Sequence, residues 1–347
     1  MPSSFLAMLA LLIVCGPSPL IKTARLPQRN SLIPKINSSY AWKDTGGPAQ
    51  TDEAFSLACD PRRNTVYALI LNQGVWKYQG GKWSSTGGSI AGRTPLCSIY
   101  DSNHGTLYVG TYTSGVWKYK AGAWSFAGLR NQDIEALYYD SRTNTLFAGG
   151  PSGVWTFKSG VWKNIGGSLS GYLVDAFAYD PINKILYSGY NNAGSGSQQG
   201  PSGVWKYQGG KWTSTGGQLQ SYQIYCLEFD PDSGVLYAGC ADPQQMQGKG
   251  VWKYQGGKWS SANKGWSIYV VSALVYNPVN KILYAGVGNG VWKYTSGSWK
   301  NTGGGVSQYW EYALICDTAH QMLYAGCVQM GMGKGVWRAP AEPLSGH

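Results

Sequence analysis

Charge is scarce in this chain. Only 13% of its 347 residues are Asp, Glu, Lys or Arg, and histidine occurs three times. His104 and His320 fall in turns between strands and His347 is the last residue, so a Ser-His-Asp triad or a histidine-based metal site lacks its parts. No cysteine pair has the CxxC spacing of a zinc or redox site. No P-loop is present, and no dinucleotide-binding glycine pattern leads from a strand into a helix. The sequence thus implies no metal, no cofactor and no catalytic residue. The net charge is +11, from 28 Lys and Arg against 17 Asp and Glu. Those basic residues are dispersed, without the dense run of a nucleic-acid patch, so nucleic acid is not expected. An anionic ligand or acidic glycan suits the excess better.

Transmembrane spans are lacking too. The apolar run from Phe5 to Val14 is too short to cross a bilayer. It suits the h-region of a signal peptide, although no Lys or Arg precedes it. Cys15 follows in the layout of a lipoprotein box, but Val14 is too bulky for the position before a lipidated cysteine. Residues 1–24 read as a signal peptide or N-terminal hydrophobic segment and 25–39 as a linker. The expected location is secreted, periplasmic or at the cell surface. Asn37-Ser38-Ser39 is a formal glycosylation sequon.

What is abundant is glycine, at 49 residues, with 25 Tyr and 16 Trp. Aromatic residues suit strands and glycine suits tight turns. Gly-Val-Trp recurs seven times, with its indole at Trp76, Trp117, Trp155, Trp205, Trp252, Trp292 and Trp337. The spacings run from 38 to 50 residues, the period of a four-stranded propeller blade. One unit shows the grammar. Val271 to Asn277 reads as an inner strand, Pro278 to Asn280 as a turn and Lys281 to Gly286 as a second strand. Gly290 to Tyr294 and Ser298 to Thr302 read as the third and fourth. The turn recurs at Asp60, Asp101, Asp140, Asp180, Asp230, Asn277 and Asp317, where the side chain is expected to bond its own turn backbone. A fourth-strand indole recurs at Trp42, Trp83, Trp124, Trp162, Trp212, Trp259 and Trp299. The lysines after the third-strand indoles, Lys77, Lys118, Lys206, Lys253 and Lys293, read as outward edge residues that discourage unwanted pairing.

The order of the strands is informative. A complete fourth strand, residues 41–45, precedes any first strand, and the chain's last repeat stops after its third strand at Arg338. Pairing the two closes the ring and removes an open edge. The fold class is therefore all-β: a seven-bladed β-propeller of four-stranded antiparallel blades over residues 40–338, closed by its N-terminal strand, with 339–347 as a tail. Cys59, Cys97, Cys226, Cys240, Cys316 and Cys327 all fall inside or at the ends of these strands and read as buried thiols. A Cys59–Cys316 bridge near the seam is the alternative.

The stretch from Ala273 to Tyr294 resembles the repeats of the two-component-regulator propeller and sialidase-like superfamily. The stretch from Cys226 to Gly239, followed by Gly250 to Tyr254, is similar to blades of tachylectin-2-type lectins. Those lectins are five-bladed and bind N-acetylated amino sugars in pockets between blades. The resemblance spans most of residues 40–338 and implies the fold. The Asp-box of sialidases is missing, so sialidase chemistry is not implied.

Function is expected on the face carrying the inter-blade connections and the loops between strands two and three. Three of those loops are long: Tyr190 to Ser202, Cys240 to Lys249 and Cys327 to Lys334. They are expected to be mobile insertions. Eight residues before each turn stand Asp52, Arg93, Gln132, Tyr172, Tyr222, Tyr269 and Tyr309. Trp266 and Trp310, the two tryptophans outside the repeat, fall in the same connections. Exposed aromatics there would stack on sugars or anchor a protein. The expected ligand-binding residues are Tyr172, Tyr222, Tyr269, Tyr309, Trp266, Trp310, Arg93 and Glu311. The function so read is carbohydrate recognition without catalysis. One alternative is a scaffold for a cell-surface or extracellular protein. The other is a glycoside hydrolase or lyase with Glu311, Glu135, Asp133, Asp175 or Arg93 at the channel mouth.

Overall fold

A computed structural model of the protein describes residues 40–90, 92–191, 201–242, 247–263, 266, 269–329 and 332–341. The expected leader with Cys15, the linker, the Asn37 sequon, residues 342–347 and parts of the three long loops lie outside them. The described strands make seven sheets of four, all antiparallel. Blade one consists of Ala54–Asp60, Thr65–Ile70, Gly74–Gln79 and Lys82–Ser85. The inner strands of blades two to seven are Pro95–Asp101, Ala136–Asp140, Val174–Asp180, Gln223–Asp230, Val271–Asn277 and Trp310–Asp317. Successive inner strands touch around the whole circle, blade seven meeting blade one.

Second strands are buried along their length, because neighbouring blades cover both of their faces. Six of them carry a glycine where the next blade presses in. A Cβ on Gly189 would sit 2.6 Å from Ile224, and one on Gly326 would sit 2.2 Å from the Ala54 carbonyl oxygen. No other residue leaves that space.

The turn aspartates act as expected. Asp180 Oδ1 accepts the backbone N–H of Ile182 at 2.9 Å and of Asn183 at 3.0 Å, while Oδ2 accepts Asn183 Nδ2 at 2.7 Å. Asp60, Asp101, Asp230 and Asp317 repeat the two backbone bonds. His104 and His320 complete their turns by pairing with Asp101 and Asp317 at 2.7 and 2.8 Å. These carboxylates are buried but satisfied.

The ring closes as the strand order requires: Lys43 pairs with Arg338 and Asp44 with Trp337. The fourth-strand indoles bind each blade to the preceding one. Trp83, Trp124 and Trp259 donate Nε1 to the hydroxyls of Thr45, Thr86 and Thr215 at 3.2, 3.2 and 3.0 Å. Trp162, Trp212 and Trp299 donate to the carbonyls of Ala127, Ile165 and Ala262 at 2.8, 2.7 and 2.8 Å. Trp42 completes the circle on Thr302 Oγ1 at 3.1 Å.

All six described cysteines are free thiols, Cys59 and Cys316 included. Burial pushes Cys59, Cys240 and Cys316 up to about 12, so they stay protonated and unreactive. Among the described residues no helix is long and apolar enough to cross a membrane.

Candidate functional site

The backbone prepares one face of the ring for variation. In six blades the pairing of the inner strand slips by one residue near its start. The extra residues are Phe55, Leu96, Asp175, Tyr225, Ser272 and Tyr312, and Glu135 holds the same place where pairing begins at Ala136. A bulge leaves one residue outside the ladder and re-aims it. These seven residues hold the same place, near the start of the inner strand, in all seven blades. Glu135 and Asp175, in adjacent blades, are the carboxylates of that set, and both are half-buried. Tyr225 donates its hydroxyl to Gln223 Oε1 at 2.8 Å. Burial, with Asp175 nearby, pushes that phenol up to about 12.

The connection residues share a role that spacing alone does not reveal. The rings of Tyr222, Tyr269 and Tyr309 lie 6.2, 6.4 and 6.0 Å from the third-strand indoles of their own blades, Trp252, Trp292 and Trp337. Tyr172 packs in the cluster that holds Trp205. Arg93 lays its guanidinium 4.2 Å over Trp117. Tyr222, Tyr269, Tyr309 and Arg93 each lie on an indole, and all five residues are half-buried.

Two expected site residues are corrected by their burial. Trp266 is not an exposed shelf. It is 6% exposed and stacks 4.5 Å from Trp299, filling a gap that also touches Trp292 and Tyr269. Glu311 is 0% exposed and so cannot meet a ligand at the mouth. It pairs across the sheet with Cys327, and its Cβ lies 2.9 Å from where a Cβ on Gly286 would stand. Among the described residues neither carboxylate oxygen meets an N–H or O–H donor. Burial pushes this carboxyl up to about 8, with the adjacent Cys327 thiol pulling the other way.

Trp310 behaves differently. Of the 16 tryptophans, all described, it is the one that is exposed, at 43%. Its indole lies against the bare backbone of Gly288, where a Cβ would come within 3.0 Å of Nε1. Tyr312 stands edge-on to it at 6.5 Å. Tyr312 in turn packs with Phe55 and Leu71 of blade one. Leu71 lines a cleft of about 290 Å³ whose polar wall is Asn72, Gln73, Arg93 and Thr94. Glu53, 3% exposed, borders Tyr312, and burial followed by the charge of Asp52 raises its carboxyl above the ordinary value. Asp133 is occupied, since its Oδ1 accepts the Thr113 N–H at 2.7 Å. Of the predicted residues, Trp310 is thus exposed where blade seven meets the Gly288 loop of blade six, and Arg93 lines the cleft between blades one and two. Asn72 and Gln73, which line that cleft, were not among the residues expected from sequence. The available signal was the loop after the second strand of blade one, Leu71 to Gln73.

No protein-family model matches the chain, and no curated protein matches it. Its solved structural neighbours are propellers. The extracellular domain of a protein described as a hybrid two-component system from B. thetaiotaomicron superposes with a TM-score of 0.68 at 14% identity, over 88% of this chain and 40% of that one. A GH74 xyloglucanase from Xanthomonas campestris gives 0.63 at 14% identity, over 86% and 53%. YCF48 from Cyanidioschyzon merolae gives 0.64 at 11% identity, over 86% and 99%. The chain thus spans about two fifths of the first of these neighbours and about half of the second. At such identities the likeness is one of fold: a seven-bladed propeller of four-stranded blades.

Proposed function

We propose that the protein is a secreted or periplasmic binding module that recognises carbohydrate, without catalysis, through the loop face of blades seven, one and two. The observation that carries this reading is Trp310. Every other indole in the chain is built into the ring, whereas this one lies open on the loop face. An exposed indole offers an apolar face to a sugar ring while neighbouring polar groups take its hydroxyls. Asn72 and Arg93 supply such groups in the loop-face cleft between blades one and two, where Gln73 is held by Pro48 and Asp52. The extracellular and xyloglucanase neighbours agree with the location and the ligand class. Hydrolysis is less well supported, because Glu311 is sealed and Asp133 is held by a backbone N–H.

The test is a glycan array probed with the natural protein and with Trp310→Ala. The expected result is saccharide binding that the substitution weakens at least about tenfold, roughly 1.4 kcal/mol. A blank array, or equal binding by both proteins, would remove the proposal. Recovery of one defined protein partner, lost in the variant, would replace it with the scaffold reading.

A further inference from the structure

The opposite face of the ring, where the turns lie, holds a second cleft. It opens between blades two and three with a volume of about 420 Å³. Lys118, Lys120 and Lys158 line it, together with His104 and the rings of Tyr108, Tyr139 and Phe157. Its one lining carboxylate, Asp101, is 2% exposed and already occupied by its turn and by His104. None of the three ammonium groups has a carboxylate partner among the described residues.

The sibling blades provide an internal control. At the position of Lys120 and Lys158, blades one, four and five carry Gln79, Gln208 and Gln255. Each glutamine donates Nε2 to a carbonyl of its own turn, those of Arg63, Asn183 and Ser233, at 3.0, 3.0 and 3.3 Å. At three other gaps between blades the corresponding rings meet. Tyr67 meets Tyr119, Tyr187 meets Tyr254 and Tyr237 meets Tyr294, with centroids 6.2, 6.4 and 6.2 Å apart. Between blades two and three the corresponding rings, Tyr108 and Phe157, line the open cleft instead. The departures from the repeat therefore coincide: two lysines replace the turn-locking glutamines where the gap is open and walled by aromatic rings.

We infer that this cleft binds an anionic saccharide. Its carboxylate or sulfate would sit among Lys118, Lys120 and Lys158, and its ring against Tyr139 and Phe157. The site is separate from the Trp310 surface and does not depend on it.

The experiment is calorimetric titration of the full chain with three hexasaccharides: one sulfated, one made of uronic acid and one neutral. Binding of at least one acidic hexasaccharide, with none of the neutral one at this cleft, is expected. The variant Lys120→Gln/Lys158→Gln installs residues that sibling blades already use, so its fold is preserved. It should weaken acidic binding at least tenfold. Lys77→Gln/Lys206→Gln removes the same charge from other blades and should change affinity less than twofold. Trp310→Ala should leave acidic binding intact, which separates this site from the first. Equal loss in both lysine variants, no loss in either, or no acidic binding would overturn the inference. So would displacement of the saccharide by an equal concentration of inorganic sulfate.

Discussion

Around the turn face, Asp60, Asp101, Asp180, Asp230 and Asp317 repeat one hydrogen-bond pattern, whereas around the loop face the residue that covers the third-strand indole changes from Arg93 to Tyr309. The difference follows from what each side chain satisfies. A turn aspartate answers buried backbone N–H groups, and few other residues can. A cover on an indole needs only breadth, which a phenol or a guanidinium supplies equally. Repetition is thus strict where the backbone depends on a side chain and loose where only surface is being covered.

The largest expected effect is at the seam. Trp42→Ala removes a 7% exposed indole and the bond to Thr302 that joins the N-terminal strand to blade six. A loss of about 3–5 kcal/mol is expected, read by chemical denaturation. A loss below about 1 kcal/mol would mean that closure does not depend on this indole.

Next comes Glu311→Gln. A buried acid held near 8 keeps a proton in the folded chain that the unfolded chain has released above its ordinary value of 4.5. The folded state therefore binds more protons, and stability falls as pH rises from about 4.5 to about 8. The amide removes that slope. The variant should gain roughly 2–4 kcal/mol over the natural protein at pH 8 and little at pH 5, measured by thermal unfolding across pH. Glu228, also held near 8 by burial, will keep part of the slope in both proteins. A constant difference at both pH values would show that Glu311 is ionised in the fold.

Asp180→Ala probes the turn face. It strands the N–H groups of Ile182 and Asn183 and should cost about 1–3 kcal/mol by the same denaturation measurement. A neutral outcome would erase the contrast between the two faces.

The blade count, the turns and the docking of residues 41–45 beside Trp337 were legible because each is a property of the repeat along the chain. The burial of Glu311 was hidden because it depends on which blade presses on which. Comparing the repeats position by position exposes it: Ala54, Pro95, Ile134, Val174, Ile224 and Val271 occupy the same place, and all are apolar. The burial of Trp266 was hidden for a related reason. Sequence puts it in a connection, but only the fold brings Trp299 within 4.5 Å. Spacing also revealed that the tyrosine series shares a position without saying that three of its rings rest on indoles.

The smallest expected effect on stability is the most informative about function. Trp310→Ala removes an exposed side chain whose near neighbours are the Gly288 backbone and the edge of Tyr312. Stability should change by less than about 0.5 kcal/mol. Tyr309→Ala, one residue earlier, uncovers Trp337 and should cost more, about 1–2 kcal/mol, while leaving saccharide binding within a factor of two. Adjacent residues would then separate cleanly, one affecting the fold and the other the ligand. If Trp310→Ala instead destabilises the ring as much as Tyr309→Ala does, its indole belongs to the scaffold, and the loop face loses its best claim to a binding surface.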